Sequence, residues 1–349
     1  MDSEFRKIKK ILTSSKLPSY DDFFQMLNAA SECLENEKAA YRPVASDDKP
    51  GALIDFHNDD VPVVVVPDLH ARPYFLLNIL EYKLFADMNV YEALAAGRVR
   101  LLSVGDILHT ERHTRERWAA AAAEFERGIN TGPALSAEMQ EGLCLWAGLL
   151  SLKVAFPSYV HILKGNHENI LNLTGNGDYS FCKFADEGEM GMVFVQDFYG
   201  DDILYLINCV EKSLPLAFFG KRCVVSHAEP YRIYTRGELV DARLTEGVVA
   251  GLTWTDNGTA AEGSAEGTIK NLCEAASSSA SAGSGKELNL SLINDYVYLG
   301  GHRPVTGNYK LLQNGRYIQI HNPGKQNIAF VQADRKFNPD KDIIEVAKK

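Results

Sequence analysis

The chain has 349 residues, of which 46% are hydrophobic and 23% are charged, and its net charge at pH 7 is -10. These proportions are typical of a globular protein, and a chain of this length can bury a large core without disulfides. The acidic balance argues against a general nucleic-acid surface, because binding to a phosphate backbone depends mainly on basic side chains. Any phosphate-bearing ligand would therefore need a local positive charge, which bound metal ions can supply.

The six cysteines are widely spaced and include no CxxC pair, so they indicate a reducing compartment rather than a disulfide framework. The first residues, Met1 to Lys7, carry acidic groups and do not resemble a signal peptide. No apolar run approaches the roughly 20 residues that a membrane span needs. The sequence thus predicts a cytoplasmic protein with no membrane partner.

The two ends of the chain differ in pattern from its middle. Apolar residues recur at helical spacing over residues 1–45, which predicts a helical N-terminal extension packed on the rest of the chain. We expect a main domain over residues 46–335 and a C-terminal tail over residues 336–349. Within the main domain, the low-complexity run at residues 275–286 predicts a flexible loop.

Five short apolar runs are typical of buried strands. They cover residues 63–66, 98–104, 159–163, 223–225 and 296–299. Helical segments separate the first three runs, an order that predicts parallel strands with right-handed crossovers. Each run ends at Asp, Asn or His side chains, and ligands bind beyond the carboxyl ends of the strands in open α/β sheets. Side chains from distant sequence positions are therefore expected to converge at one rim.

Five of the nine histidines lie at or just past these strand ends, where Asp and Asn residues alternate with them. The set consists of Asp68, His70, Asp106, His109, Asn166, His167, His227 and His302. A buried carboxylate must be paired, hydrogen-bonded or metal-bound, so this ordered set predicts a metal site. Asp68 and His70 point to the same side of an extended segment, and Asp106 can bridge two ions through its two oxygens. The mixed nitrogen and oxygen ligands suit Mn, Fe or Zn.

The motifs D-x-H, G-D, G-N-H-E, H and G-H, in this order, resemble those of the calcineurin-like metallophosphoesterase superfamily. They begin at Asp68, Gly105, Gly165, His227 and Gly301. Three further segments resemble the phosphoprotein (serine/threonine) phosphatase branch more closely, at residues 149–168, 213–216 and 254–256. The resemblance covers about residues 60–331.

This resemblance implies an α/β fold in which two mixed β-sheets pack as a sandwich flanked by helices, with a dimetal site at the strand carboxyl ends. It implies that Asp68, His70 and Asp106 bind the first of two divalent ions. Asp106, Asn166, His227 and His302 would bind the second ion. The implied activity is hydrolysis of a phosphate ester by attack of a metal-bound hydroxide, with His167 as the general acid.

The second motif departs from the phosphatase branch, which has Gly-Asp-x-x-Asp-Arg-Gly where this chain has residues 105–111. His109 replaces the Asp that would orient His167, so we expect His109 to orient or assist that residue. Thr110 replaces the Arg that would clamp phosphate. In addition, Pro304 stands where many superfamily members have a second His after the G-H motif.

Other polar side chains carry weaker signals. Arg72, Arg112 and Arg303 are candidate replacement clamps, because a guanidinium group forms a two-pronged contact with phosphate. His321 precedes the turn at residues 322–324 and could lie near the site, but the favoured expectation is that it stabilises that turn.

A phosphomonoester, carried by a small molecule or a phosphoprotein, is the favoured substrate. Gly-Asp-x-x-His also resembles the second motif of superfamily nucleases. A phosphodiesterase, a nuclease or a dinucleoside polyphosphate hydrolase is therefore the alternative enzyme, although the acidic net charge argues against it. A phosphate-binding scaffold is the non-enzymatic alternative. The complete ligand set argues against a scaffold, since a binding module has no need for both Asp106 and His167.

Overall fold

A computed structural model of the chain describes residues 2–111, 114–281 and 290–347. One of its two mixed β-sheets has five strands in the order β11-β10-β2-β3-β4. These strands are β2 (Val63–Val66), β3 (Arg100–Ser103), β4 (Val160–Ile162), β10 (Asn327–Val331) and β11 (Ile343–Glu345). Strands β2, β3 and β4 are parallel, whereas β10 pairs antiparallel with both β2 and β11.

The other sheet has six strands in the order β1-β5-β6-β7-β9-β8. These strands are β1 (Leu53–Phe56), β5 (Ala217–Gly220), β6 (Cys223–Ser226), β7 (Val297–Gly300), β8 (Lys310–Leu312) and β9 (Tyr317–Gln319). Strands β6, β7 and β9 are parallel, so their carboxyl ends lie at one edge of the sheet. All five runs predicted as strands are strands in the structure, and they supply three strands of one sheet and two of the other.

Eight helices share one hydrophobic core with the outer face of the five-stranded sheet. They are α1 (Ser3–Leu12), α2 (Tyr20–Glu35), α3 (Pro73–Glu81), α4 (Val90–Ala95), α5 (Thr114–Phe125), α6 (Pro133–Ala155), α7 (Glu187–Tyr199) and α8 (Asp201–Ser213). Three more pack against the six-stranded sheet, namely α9 (Arg236–Val240), α10 (Val248–Thr253) and α11 (Ser264–Ser281). Helix α12 (Pro339–Asp342) and 3-10 helices at Leu290–Asp295 and Gln313–Gly315 complete the described elements.

The unbroken apolar run in β2 follows from the position of this strand between two cores. Val64 and Val66 face the helices, whereas Val63 and Val65 face the core between the sheets. Because successive side chains of a strand point to opposite faces, a strand that is buried on both faces needs apolar residues at every position. The same arrangement fixes the carboxyl end of β2 at the rim of the sandwich.

Two segments differ from the sequence predictions. Residues 275–281 of the predicted loop belong to helix α11, which continues to Ser281, and residues 282–286 lie outside the described residues. The predicted tail contains strand β11, whose residues complete the edge of the five-stranded sheet by pairing with β10. The division of the chain into extension, main domain and tail stays a prediction. In the described ranges, no helix is long and apolar enough to cross a membrane.

Candidate metal centre

The carboxyl ends of strands from both sheets meet at one rim and bring the six predicted metal ligands together. The ligands follow β2 (Asp68 and His70), β3 (Asp106), β4 (Asn166), β6 (His227) and β7 (His302). Asp106 lies between the others, with its Oδ2 atom 3.4 Å from Nε2 of His227 and 3.8 Å from Nε2 of His70. All six side chains are buried.

The loops that carry these side chains have strained backbone. The φ angle is 54° at Asp106, 40° at His70 and 65° at His302, a region that residues other than glycine rarely adopt. Such strain persists only where the surrounding contacts impose it, and it concentrates at functional sites. Gly105, with φ 102°, permits the close approach of two loops, because a Cβ atom there would collide with the backbone of Gly165.

One part of the cluster, the Asn166 group, consists of Asp106, Asn166, His227 and His302. The Oδ1 atom of Asn166 lies 2.9 Å from Nε2 of His227 and 3.0 Å from Nδ1 of His302. Nε2 of His302 is buried and has no hydrogen-bond partner among the described residues. The group therefore directs nitrogen and oxygen atoms from four strand ends at a common point.

The hydrogen bonds of His227 show that a cation fits this point. Nδ1 of His227 lies 3.0 Å from the carbonyl oxygen of Val104, so Nδ1 carries the proton in a neutral ring. Burial lowers the pKa of His227 and so favours the neutral ring. Nε2 then presents a lone pair to Oδ1 of Asn166 and Oδ2 of Asp106, which are also acceptors. Acceptors that face each other repel unless a cation lies between them, and this donor set suits a divalent metal ion.

The other part of the cluster, the Asp68 group, consists of Asp68, His70, Glu111 and His321. Nε2 of His70 lies 3.6 Å from Oε1 of Glu111 and 3.8 Å from Oδ2 of Asp106. Nδ1 of His321 lies 3.5 Å from Oδ2 of Asp68. The ligand atoms of Asp68, His70 and His321 all lie within 4.8 Å of one another, so these three side chains could hold a metal ion.

His321 and Glu111 were not among the predicted site residues. His321 was expected to stabilise a turn, but it lies two residues past strand β9 and faces the cluster. Strand β9 has only three residues and was not recognised, so the strand-end pattern could not include His321. Glu111 occupies the last position of the second motif, where the phosphatase branch has Gly.

Arg72 supports the loops that carry the Asp68 group by donating to their backbone carbonyl oxygens, and this corrects the prediction that it clamps phosphate. Its guanidinium group is buried and donates to the carbonyl oxygens of Asp68 at 2.6 Å and Leu69 at 2.9 Å. It also donates to the carbonyl oxygens of Pro323 at 3.2 Å and Lys325 at 3.1 Å. Because these contacts occupy its donors, Arg72 holds two loops together rather than facing a ligand.

Glu168, the last residue of the G-N-H-E motif, braces the Asn166 group. Its carboxylate accepts hydrogen bonds from the backbone N–H groups of Gly165 at 2.7 Å, Asp106 at 2.8 Å and Ile107 at 2.9 Å. These donors lie in the loops after β3 and β4, so Glu168 fixes the two loops relative to each other. A carboxylate that accepts several backbone hydrogen bonds satisfies donors that would otherwise be buried without partners.

His167 and His109 lie beside the cluster, but they do not hydrogen-bond to each other. Nε2 of His167 is 3.9 Å from Oδ2 of Asp106, and its ring stacks on Phe181 with 4.2 Å between centroids. The ring of His109 lies 5.6 Å from that of His167, and its nitrogens have no hydrogen-bond partner among the described residues. The carbonyl oxygen of His109 lies 3.0 Å from Nδ1 of His70 and thereby orients that ring.

Arg303 is the one remaining predicted clamp among the described residues. Arg303, next to His302, is partly exposed and forms an ion pair with Asp256. An exposed ion pair contributes little to stability and rearranges easily, so Arg303 stays a candidate for contact with phosphate. Arg112 lies outside the described residues.

Burial controls protonation throughout the cluster, because it disfavours the charged form of each group. It raises the pKa of Asp106 well above the usual range, and repulsion from Glu168 and Asp68 adds to this effect. It lowers the pKa of His70 to about 4 and that of His302 to about 2. Neutral imidazole is the form that binds metal ions, and a nearby divalent cation would favour the ionised form of Asp106.

Comparison of the sequence with protein-family models and with curated proteins gives no match. Comparison of the structure with solved structures does give matches. A protein serine/threonine phosphatase from Saccharomyces cerevisiae is similar over 99% of this chain and 95% of that chain, with a TM-score of 0.57 and 17% sequence identity. At this identity the match shows a shared fold alone, and together with the two mixed sheets and their flanking helices it confirms the predicted α/β sandwich.

Two other solved structures are less similar. A cold-active protein-tyrosine phosphatase of a psychrophilic Shewanella species covers 85% of this chain and 82% of its own, with a TM-score of 0.43 and 15% identity. A putative diadenosine tetraphosphatase covers 84% of this chain and 97% of its own, with a TM-score of 0.40 and 15% identity. These scores are too low to support a conclusion.

Proposed function

We propose that the protein is a metal-dependent phosphoric ester hydrolase that acts on phosphomonoesters. The observation that carries this proposal is the convergence of Asp68, His70, Asn166, His227 and His302 around a buried Asp106. A buried set of acceptors is costly unless a cation neutralises it. The shared fold with a serine/threonine phosphatase from yeast supports the same class of chemistry.

We assign two divalent ions to the cluster, one to each group, with Asp106 shared between them. Asp68, His70 and Asp106 would hold the first ion, and Asp106, Asn166, His227 and His302 would hold the second. When bound, such ions neutralise the charge of the phosphoryl oxygens and lower the pKa of a bound water. The nitrogen and oxygen ligands favour Mn, Fe or Zn, and we propose Mn as the first metal to test.

His167 is the group that we assign to protonate the leaving oxygen. Its backbone N–H donates to Oδ1 of Asp106 at 2.9 Å, and Phe181 fixes the plane of its ring. Burial lowers the pKa of His167 well below the usual range, and nearby His70 and His109 lower it further. A phosphate dianion beside this ring would oppose these effects, because an opposite charge favours the protonated imidazole. His167 would thus carry a proton mainly when substrate is bound.

The substrate class follows from charge. The net charge of -10 disfavours long anionic polymers, whereas a single phosphate group can enter a site in which metal ions supply the positive charge. Arg303 lies next to a ligand and can turn from Asp256 towards phosphate. A diesterase of the same fold is the alternative enzyme. A scaffold that binds phosphate without turnover is the non-enzymatic alternative.

The test compares nitrophenyl phosphate with bis-nitrophenyl phosphate on the full chain supplied with Mn²⁺, Zn²⁺ or Mg²⁺. We expect metal-dependent turnover with a higher kcat/KM on the monoester. A higher kcat/KM on the diester would support the alternative enzyme. Bound metal without turnover of either ester, or of a phosphoserine peptide, would support the scaffold.

A further inference from the structure

The Asp68 group contains one imidazole more than the ligand set assigned above. Strand β9 runs parallel to β7, so His321 reaches the same rim as His302. His321 is fully buried, and its ring centroid lies 5.2 Å from that of His70. A buried histidine at this position needs a partner, since unsatisfied buried polar atoms are costly.

The partner atoms of His321 indicate coordination rather than hydrogen bonding. Nδ1 of His321 and Oδ2 of Asp68 are 3.5 Å apart, and neither has a hydrogen-bond partner among the described residues. An N–H···O hydrogen bond spans about 2.7–3.2 Å, so this pair is too far apart. Two ligands that are each about 2.1 Å from one ion lie roughly 3.0–3.4 Å apart, which is close to the observed distance.

The opposite side of the His321 ring faces a carboxylate. Nε2 of His321 lies 3.7 Å from Oε2 of Glu111, whose other oxygen forms an ion pair with Lys183. Lys183 neutralises Glu111 and holds it beside the ring. Metal-binding histidines commonly direct their second nitrogen towards a carboxylate, which fixes the tautomer and makes the ligating nitrogen more basic.

We infer that His321 binds the ion held by Asp68 and His70 through Nδ1, and that the negative charge of Glu111 positions His321 by favouring the tautomer with its proton on Nε2. This inference rests on the proposed metal centre and adds to it a ligand from strand β9. The first ion would then have two imidazole and two carboxylate ligands, counting the shared Asp106. Such a set favours borderline metals such as Zn or Fe over Mg, which prefers oxygen ligands.

The test measures metal binding directly on the full chain. The wild type and the variants His321→Ala and Glu111→Gln are stripped with a chelator and titrated with Zn²⁺ against a competing fluorescent chelator. Loss of a partner of a ligand costs about 10- to 100-fold in metal affinity. We therefore expect Glu111→Gln to weaken one of the two ions by that factor. His321→Ala should weaken the same ion by at least about 100-fold.

His161→Ala is the matched control, because His161 is equally buried but lies outside the cluster against Tyr41 and Phe56. It should leave both ions in place. With Co²⁺ bound, the visible absorption should change in His321→Ala and not in His161→Ala, since this absorption depends on the ligands. The variant His321→Gln repeats the test if His321→Ala fails to fold by circular dichroism.

Each outcome separates this inference from the proposed function. Two ions with unchanged affinities and an unchanged Co²⁺ spectrum in His321→Ala or His321→Gln would overturn the inference and leave the proposed function intact. If neither His321 variant folds, unchanged Zn²⁺ affinity in Glu111→Gln overturns the inference. A wild-type chain that binds no Zn²⁺, Mn²⁺ or Co²⁺ would overturn both.

Discussion

The Asp68 group and the Asn166 group are braced by side chains of opposite charge. Arg72 donates to carbonyl oxygens in the loops after β2 and β9, whereas Glu168 accepts from N–H groups in the loops after β3 and β4. The loops after β2 and β9 direct carbonyl groups towards Arg72. The loops after β3 and β4 direct N–H groups towards Glu168. The charge of each bracing residue therefore follows from the backbone groups that it contacts. It does not depend on the charge of the neighbouring candidate ligands.

Asp106 faces both groups, so its replacement should have the largest effect on turnover and should weaken metal binding in both groups. In Asp106→Asn the shared carboxylate charge is lost, although the amide oxygen can still accept from the N–H of His167. We expect turnover to fall by at least about 10³-fold and bound metal to drop below two ions per chain. The exposed Asp197→Asn serves as control and should retain both ions. Full metal content with normal turnover in Asp106→Asn would remove the shared-ligand assignment.

His167 lies beside both groups, and its replacement tests whether it acts on the leaving group. A general acid contributes about 10²- to 10⁴-fold, and it matters most when the leaving group is a poor one such as an alkoxide. His167→Ala should therefore lose far more activity on an alkyl phosphate than on nitrophenyl phosphate, with metal content unchanged. His109→Ala should show the same bias more weakly. The ring of His109 lies beside that of His167 without a hydrogen bond to it, so it can affect the leaving group only through His167. Equal losses on both esters would instead mean that His167 binds phosphate.

Replacing Arg72 or Glu168 should weaken the ion of the group that the residue braces more than the ion of the other group. Arg72→Met leaves buried carbonyl groups without their donor, and we expect it to lower the free energy of unfolding by about 3 kcal/mol. We also expect it to lower the metal affinity of the Asp68 group more than that of the Asn166 group. Glu168→Gln, which keeps the shape of the side chain, should lower the metal affinity of the Asn166 group more than that of the Asp68 group. Urea unfolding and metal titration measure both effects, and a uniform loss of both ions in either variant would contradict the division.

The smallest predicted effect concerns Glu211, which supports the loop after β4 by accepting from the N–H of Ile170 at 2.8 Å. Burial raises the pKa of Glu211 to about 8, an effect that Lys164 opposes and that Glu168 and Asp178 reinforce. The folded state then holds a proton that the unfolded chain releases near pH 4.5. Stability from this group is complete below pH 4.5 and declines as the pH rises through 8.

Glu211→Gln should remove this pH dependence, because an amide resembles the protonated acid and does not titrate. We expect the free energy of unfolding of the wild type to fall relative to that of the variant by about 1 kcal/mol between pH 7 and pH 8. Urea unfolding at both pH values measures the difference. The exposed variant Glu126→Gln provides the comparison, and parallel profiles for Glu211→Gln and wild type would show that Glu211 is ionised in the fold.

The candidate ligand set could be proposed from the sequence because each of its members lies within four residues of the end of an apolar strand. Asp68 follows four consecutive valines and Pro67, and Asp106 and Asn166 likewise come shortly after apolar runs. Burial on both faces forces this composition on a central strand, so the strand and its end can be recognised without any tertiary information. The fold class followed from the same runs and from the resemblance that they carry.

The sequence by itself determined five of the eleven described strands and the residues at their ends, because burial dictates composition locally. Only the tertiary structure decided the roles of Arg72 and His321. Arg72 reaches carbonyl groups about 250 positions away, and His321 follows a three-residue strand too short to recognise. Both roles arise from contacts between segments that are distant in the chain, and such contacts leave no periodic pattern in the sequence around either residue.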